Sequence, residues 1–156
     1  MIRRARPGLL APVCAAFCAM PGLGAAQTDL RSDLTETFAA VNLNDNLVET
    51  LNCTSLYRSL ALLLGDESEM ATTFRGREGY MASLSGALWA SDDANADQTP
   101  EEVFEILLPP INTATDQYLA YMSELASRTD APFDDVIIDS VEFCNAIYGT
   151  LQEDAQ

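Results

Sequence analysis

The stretch ETLNCTSLYRSLALLLG, residues 49–65, places a single cysteine inside an apolar segment that ends at a glycine. Cys53 is followed at the third, fourth and seventh positions by Leu56, Tyr57 and Leu60. This spacing is typical of one buried face of an α-helix. A cysteine on such a face is expected to lie in the protein core. We therefore ask whether a second cysteine of the chain is placed to pair with Cys53 there.

A segment near the carboxyl end repeats this pattern around a second cysteine. Cys144 is followed at the same three spacings by Ile147, Tyr148 and Leu151. Each cysteine therefore begins an apolar stripe on its own predicted helix. The two segments are too short to be treated as an internal repeat, but they predict two helices that bury a cysteine each.

The first 26 residues have the layout of a cleaved secretory signal. An arginine-rich start precedes an apolar stretch over residues 9–23, and the small residues Gly24, Ala25 and Ala26 follow it. The apolar stretch is too short and too interrupted by proline to span a membrane as a helix, which argues against an uncleaved anchor. We therefore predict a signal peptide over residues 1–26, and a periplasmic or secreted protein.

Only Cys53 and Cys144 remain after that cleavage. An exported protein meets an oxidising compartment, where an even number of cysteines predicts disulfide bonding, and two cysteines allow one intramolecular pairing. A redox pair or a reactive thiol is disfavoured, because the cysteines are far apart in the chain and no basic residue stands beside either to lower a thiol pKa. The sequence therefore predicts an interhelical Cys53–Cys144 disulfide.

The predicted mature chain, residues 27–156, has the length of a single domain and a strongly negative charge. It holds all 24 acidic residues against five arginines, with no lysine and no histidine, which gives a net charge of about −19. Such a charge repels nucleic acid and anionic lipid, and it attracts a basic partner or cations. The alternative is an acidic surface that serves solubility alone. The exclusive use of arginine suggests a GC-rich bacterial genome.

From residue 29 onward the apolar residues follow a helical spacing, and no alternating strand pattern competes with it. We predict an all-α domain, an antiparallel four-helix-type bundle with an extra N-terminal helix. Up-and-down connections place the first and last main helices side by side, as the disulfide requires. The predicted helices cover residues 29–41, 46–64, 68–90 and 133–151, and a further helix begins at residue 100, is interrupted at residues 109–110 and continues over residues 110–128.

The predicted helix that begins near residue 100 has a capping signal at its start and two prolines in its interior. Thr99 and Glu102 form a capping box around Pro100, which marks the start of a helix. Pro109-Pro110 removes two backbone hydrogen bonds from the same helix. We therefore expect this helix to be broken or kinked at the two prolines.

The predicted helix over residues 68–90 carries two interior glycines, Gly76 and Gly79. Each weakens a helix by about 0.5–1 kcal/mol relative to alanine. We interpret them as a kink or as a place where another backbone approaches closely. The apolar face predicted for this helix consists of Met70, Phe74, Met81, Leu84 and Leu88.

The chain offers few residues that carry chemistry. Without histidine no Ser-His-Asp or Cys-His arrangement can form, and the mature chain has no lysine to act as a Schiff-base nucleophile. No glycine-rich phosphate loop is present. Carboxylate pairs at helical spacing, such as Glu101 with Glu105 or Glu67 with Glu69, are expected by chance among 24 acidic residues. We therefore predict no catalytic, cofactor-binding or metal-ligating residues, and a protein that is not an enzyme.

One acidic segment resembles the opening of a calcium loop of the EF-hand kind. Asp93, Asn95 and Asp97 stand at alternate positions between two predicted helices. Gln98 and Phe104, however, occupy the positions where such a loop needs a glycine and a bidentate glutamate. A cation site and a solvated linker that leads into a helix cap both remain open.

Three function hypotheses follow. The leading one is a non-enzymatic binding module, an inhibitor or immunity-like partner of a basic protein, because the charge is high and no catalytic set is present. The second is an envelope stress or acid chaperone whose carboxylates respond to pH. The third is a carboxylate-based enzyme such as a cell-wall hydrolase. Tyr118 and Tyr121 could anchor an interface, but at helical spacing they are predicted to be core residues.

The exported protein is expected to begin at Gln27 and to contain no free thiol. Intact-mass spectrometry of protein collected from the periplasm or the medium, with and without an alkylating reagent, checks both points. Alkylation should add mass only after reduction. A mature form that takes up the reagent without reduction would contradict the disulfide, and a retained segment 1–26 would contradict the signal peptide.

Overall fold

The computed structural model describes residues 29–39 and 43–154, and every regular element in those ranges is helical. The all-α prediction is thereby confirmed. The predicted signal peptide and Val41, the last apolar position of the first predicted helix, lie outside the described residues. The five α-helices are α1 (Leu30–Ala39), α2 (Asp45–Leu64), α3 (Glu69–Ala90), α4 (Pro100–Thr129) and α5 (Asp135–Asp154), and a short 3₁₀ helix, Asp93–Asn95, precedes α4.

Helix α2 forms the centre of the bundle. It contacts α3, α4 and α5, and α1 packs on α4. From position 50 to position 61 every side chain of α2 is buried except those of Asn52 and Arg58, which are half-buried. A helix that is covered on nearly all sides is typical of the interior of a helical domain. The apolar stripe predicted from Cys53 is therefore only one part of the buried surface of α2.

The buried part of α2 includes four small polar side chains whose hydroxyls are satisfied within the helix. Thr50, Thr54, Ser55 and Ser59 each donate a hydrogen bond to a backbone carbonyl three or four residues earlier. A buried hydroxyl without such a partner would cost about 1–3 kcal/mol. Because that cost is avoided, these small side chains can face neighbouring helices at short range.

Two of these hydroxyls also link α2 to its neighbours. Ser85 Oγ of α3 lies 2.9 Å from Thr50 Oγ1, and Ser55 Oγ lies 3.2 Å from the Ile111 carbonyl oxygen of α4. Side chains larger than serine and threonine would hold the helices apart at these points. Helices α3 and α4 are therefore positioned on α2 partly through small polar contacts, which hydrophobic periodicity alone does not reveal.

The Cys53–Cys144 disulfide joins α2 to α5, as predicted. The two Sγ atoms lie 2.06 Å apart, the two Cα atoms lie 5.4 Å apart, and both side chains are fully buried. Helix α5 buries little else, because Ile137 is its one other buried side chain in the part of α5 that the structure describes. The disulfide therefore supplies much of what holds the last helix in register on α2.

Capping side chains mark the helix ends. Glu102 N–H donates to Thr99 Oγ1 over 3.3 Å and Thr99 N–H donates to Glu102 Oε2 over 2.8 Å, which confirms the predicted capping box. Asn44 caps α2 by accepting a hydrogen bond from Leu47 N–H. Helix α2 ends at Gly65, whose φ of 76° lies in the left-handed region that favours glycine.

The predicted break at Pro109-Pro110 is wrong, because α4 continues through both prolines as one helix. The prolines leave the carbonyls of Glu105 and Ile106 without their usual intrahelical donors. Glu105 is exposed and Ile106 is half-buried, so solvent can serve as the donor there. Leu107 before the prolines and Ile111 after them are both buried in the same core, and this burial holds the two halves of the helix together.

Helix α3 buries a different set of residues from the one predicted. Met70 is 59% exposed, so its assignment to the core is wrong, whereas Met81 is fully buried as predicted. The other predicted members of the face, Phe74, Leu84 and Leu88, are half-buried. The small side chains of Ala71 and Ser85 are fully buried instead. These small side chains let α3 lie close to α2. The buried face of α3 therefore includes Ala71, Met81 and Ser85 and leaves Met70 outside it.

Neither of the two glycines predicted to mark a kink or a close approach interrupts α3. A Cβ added at Gly76 or Gly79 would meet no atom of the described residues within 4 Å, so no backbone in that part of the chain approaches closely there. The interpretation of Gly76 and Gly79 as a place of close backbone approach is therefore wrong. Both positions are exposed sites in the helix where a larger side chain can be accommodated.

Replacing both cysteines by alanine, Cys53→Ala with Cys144→Ala, should lower the free energy of unfolding by up to about 4–5 kcal/mol, because the bond closes a long chain segment with a sequence separation of 91. Urea denaturation of the double variant and of the oxidised wild type measures the difference. Reduction of the wild type should change stability in the same direction. Equal stability of the oxidised and cysteine-free proteins would contradict a role of the disulfide in holding α5.

Candidate functional site

An arginine of α3 lies between two tyrosines next to the disulfide. The guanidinium carbon of Arg77 is 5.8 Å from the ring centre of Tyr57 and 5.3 Å from that of Tyr148. The same guanidinium donates a hydrogen bond to Asn145 Oδ1, which also accepts one of 2.9 Å from the Tyr57 hydroxyl. Because Tyr57 lies one turn beyond the first cysteine and Asn145 directly follows the second, the disulfide brings these partners together.

The charge of Arg77 interacts with the other members of this cluster. Burial raises the pKa of Tyr57, and the charge and hydrogen bond of Arg77 oppose that rise. The ring of Tyr80 packs edge-on against Tyr148, with 5.3 Å between the ring centres. A cation over aromatic faces contributes about 0.5–2 kcal/mol, depending on how far it is desolvated. The cluster therefore stabilises the contact of α3 with α2 and α5.

The other four arginines of the described chain are paired with carboxylates. One of these pairs joins Arg58 Nε to Glu78 Oε1 over 2.6 Å, and both of its side chains are half-buried. Arg77 has no carboxylate within 4 Å in the ranges that the structure describes. The remaining pairs are Arg31–Asp139, Arg75–Asp66 and Arg128–Glu124. Each of these five arginines thus has a partner within the protein, and the pair of Arg31 with Asp139, at 3.9 Å between two largely exposed side chains, is the weakest of them. Carboxylates remain in large excess.

A groove of about 320 Å³ lies between α3 and α4, and we call it the α3–α4 groove. One wall is formed by large apolar side chains and the other by small ones. The α4 wall consists of Val103, Phe104, Leu107, Leu108 and Ile111, and the α3 wall consists of Ala82, Ser85, Gly86 and Ala90. Phe104 is 59% exposed, so the groove presents apolar surface to solvent.

A second apolar groove, of about 310 Å³, lies where α3 and α5 begin and α2 ends, and we call it the α3–α5 groove. Met70, Phe133 and Ile138 line it and are all exposed. Met70 is therefore a surface residue of this groove rather than a core residue. The full lining consists of Leu60, Leu64, Met70, Phe74, Phe133, Ile137, Ile138, Val141 and Glu142.

The acidic segment with Asp93, Asn95 and Asp97 forms a connection between α3 and α4. Asn95 Nδ2 donates to the Trp89 carbonyl over 3.2 Å, and the Asp92 side chain caps the 3₁₀ helix. Among the described residues no group of three or more histidine, cysteine, aspartate or glutamate side chains is placed to hold a metal ion. The hydrogen bonds of this segment favour the linker interpretation.

Tyr118 and Tyr121 are core residues, as predicted, with 1% and 7% of their surface exposed. Tyr118 donates to Asn52 Oδ1 over 2.9 Å, and burial raises the pKa of Tyr118 to about 12. Tyr121 donates to Asp134 Oδ2 over 2.6 Å, and this hydrogen bond is the main reason that the pKa of Tyr121 is raised to about 12. Both hydroxyls therefore stay protonated and act as donors across the ordinary pH range.

Comparison of the chain with protein-family models, with curated proteins and with solved structures gives no match. None of the helices that the structure describes combines the length and the apolar character needed to cross a membrane.

Sequence reasoning misses both grooves, although the sequence holds a signal for the α3–α4 groove. Phe104 and Leu108, four positions apart, widen the apolar face of α4 beyond the buried stripe. Small residues recur at the same interval on α3, as Ala82, Gly86 and Ala90. That these two patterns face each other follows only from the packing of both helices on α2.

Tyr121→Phe should destabilise the protein by about 1–2 kcal/mol at pH 7, because Asp134 loses a charge-assisted hydrogen bond. Burial alone would raise the pKa of Asp134, but the bonds from the Tyr121 hydroxyl and from backbone N–H groups outweigh it and lower this pKa. A lowered folded-state pKa means that the stabilisation is present above the ordinary value of 3.8 and is lost as the pH falls further.

Urea denaturation between pH 7 and pH 3 tests this pH dependence. The difference in stability between the wild type and Tyr121→Phe should shrink below about pH 4. Tyr80→Phe is the matched control, because the Tyr80 hydroxyl makes no hydrogen bond within the described residues, and its effect should be small and independent of pH. A Tyr121→Phe penalty that stays constant down to pH 3 would contradict the assignment.

Proposed function

We propose that the protein is an exported, non-enzymatic binding module that docks on a basic protein as an inhibitor or immunity-like partner. The arrangement of charge carries this proposal. The chain holds 24 acidic residues, whereas each of its five described arginines has a partner within the protein. A lysine or arginine of a partner would therefore approach carboxylates without competition from a free arginine of this chain.

Charge complementarity speeds association and selects the sign of the partner, while apolar contacts supply most of the affinity. The protein offers both kinds of surface. Phe104 in the α3–α4 groove and Met70, Phe133 and Ile138 in the α3–α5 groove are large apolar side chains that are more than two-fifths exposed. Apolar grooves within an acidic surface support protein docking better than acidic charge alone.

The interior of the bundle also supports a binding role. A rigid surface loses less conformational entropy on binding than a mobile one. The nearly complete burial of α2 and the disulfide to α5 both restrict movement of the helices that line the grooves. The disulfide and the predicted signal peptide together support action outside the cytoplasm, where a disulfide persists.

A second candidate is an envelope stress or acid chaperone. It is favoured by the small number of fully buried side chains in α5. Ile137 and Cys144 are its buried side chains in the described chain. Protonation of Asp134, whose carboxylate accepts hydrogen bonds from the Tyr121 hydroxyl and from Ile137 N–H at the start of α5, would therefore loosen α5 while the disulfide keeps it tethered. Circular dichroism, binding of a hydrophobic dye and a client aggregation assay between pH 7 and pH 3 address this candidate. A compact fold that is unchanged at pH 3 and gives no client protection would exclude it.

The third hypothesis, a carboxylate-based enzyme, would require two carboxylates that face each other in a cleft. Among the described residues no carboxylate lines the α3–α4 groove, and Glu142 is the single carboxylate in the lining of the α3–α5 groove. These two grooves therefore provide no pair for acid and base catalysis, and we place the enzyme hypothesis last.

The partner of the mature protein should be basic, and its affinity should fall at least about tenfold when NaCl is raised from about 0.1 M to about 1 M, because the Debye length drops from about 10 Å to about 3 Å. The oxidised mature protein is incubated with periplasmic extract at low salt, and bound proteins are identified by mass spectrometry. Isothermal calorimetry with the purified partner then measures affinity against salt.

A charge-neutralised variant provides the control for this experiment. Glu36→Gln, Glu49→Gln and Asp116→Asn replace exposed carboxylates on α1, α2 and α4 and should reduce the association rate and the salt dependence without loss of helicity. An affinity that does not change with salt, or a partner of net negative charge, would refute the proposed function.

A further inference from the structure

On the basis of the proposed function, we infer that the α3–α4 groove is the docking site, and that its occupant is an amphipathic helix of the partner with lysine or arginine beside its apolar face. The shape, the length and the charge of the groove each support this occupant. Helix-in-groove docking is a recurring mode of protein recognition, in which apolar side chains about one turn apart enter the groove.

The α3 wall of the groove leaves open space beside Gly86. A Cβ added at Gly86 would meet no atom within 4 Å in the ranges that the structure describes, so the α3 wall does not press against α4 at this position. Ala82 and Ala90 lie one turn on either side of Gly86, and such small residues let another helix approach closely. Large apolar side chains of the occupant would then contact Phe104 and Leu108 on the opposite wall.

The length of the groove corresponds to two or three turns of helix. Its lining runs from Pro100 to Ile111 along α4 and from Ala82 to Ala90 along α3. At 1.5 Å per residue these distances are about 17 Å and about 12 Å. An occupant with apolar side chains at positions i, i+3 or i+4, and i+7 would fill this length.

The charge beside the groove selects a basic occupant. Glu101 and Glu105 line a shallow depression together with Phe104, which also lines the groove, so carboxylates stand at its edge. Arg58, the arginine of the groove lining, is neutralised by Glu78. A second copy of this chain or an anionic lipid surface would bring like charge to this edge, whereas a basic helix brings the opposite charge.

Two synthetic peptides and two protein variants test the inference. The peptides are about 18 residues long and carry leucine at the same helical spacing, with lysine at the polar positions of one and glutamate at those of the other. Gly86→Phe fills the groove. Gly79→Phe is the matched control, because it makes the same change on the same helix at another open position outside the groove.

Both variants should fold, because phenylalanine has a higher helix propensity than the glycine that it replaces and each position is open. Circular dichroism confirms this before binding is measured by calorimetry. The affinities of the leucine-lysine peptide for the wild type and for Gly79→Phe should agree within about twofold. Its affinity for Gly86→Phe should be at least about tenfold lower. The leucine-glutamate peptide should not bind. Equal affinity of the two phenylalanine variants would overturn the inference.

Backbone amide shifts give an independent readout of the binding position. On addition of the leucine-lysine peptide they should concentrate in residues 82–90 and 100–111. Shifts centred on the α3–α5 groove, around Met70 and Phe133, would also overturn the inference, because they would place the occupant in the other groove.

The contribution of the acidic edge is tested with two double variants of equal charge. Glu101→Gln with Glu105→Gln neutralises the groove edge, and Glu49→Gln with Asp116→Asn neutralises two exposed carboxylates elsewhere. The double substitution at the groove edge should lower the affinity for the leucine-lysine peptide about fivefold more than the double substitution elsewhere. The reason is that close charges are screened less than distant ones. Equal effects would show that only the overall charge matters and would overturn the proposed role of the groove edge.

Failure of the groove and failure of the proposed function give different results with the natural partner. If Gly86→Phe binds that partner with wild-type affinity and wild-type salt dependence, docking occurs elsewhere and only the groove is overturned. If no basic partner is captured, or if its affinity does not change with salt, the proposed function fails even when the peptide binds the groove.

Discussion

The burial of α2 on nearly all sides is the constraint on which the rest of the bundle depends. A helix in this position has little water with which to satisfy its polar side chains. Four serine and threonine hydroxyls of α2 therefore bond to the backbone of their own helix, and Thr50 and Ser55 also contact α3 and α4. Because these side chains are small, three helices can surround α2 at close range.

The contact of α5 with this centre depends on a covalent bond and on one polar cluster. The disulfide fixes α5 on α2 where apolar burial by itself is thin. Asn145 then accepts hydrogen bonds from Tyr57 of α2 and from Arg77 of α3, so one amide oxygen of α5 connects two helices. The arginine of this cluster serves the fold, which leaves the acidic surface without a free arginine in the described chain.

The binding role that we propose follows from this division between interior and surface. The described arginines are engaged by partners within the chain, so the surface keeps its excess of carboxylates. Close packing on α2 leaves apolar grooves between the outer helices, one of them with Glu101 and Glu105 at its edge. Long-range attraction and a local apolar contact can therefore act together on a basic helix.

Sequence by itself determined the all-α class, the helix ends at Thr99 and Gly65, the cysteine pair and the excess of carboxylates, because periodicity, capping and charge are properties of short segments or of composition. Only the tertiary structure decided that α4 continues through Pro109-Pro110, that Met70 faces solvent, and that Gly86 lies opposite Phe104 in a groove. The reason is that burial from several helices at once outweighs local preference, and a groove exists only between elements that are already packed.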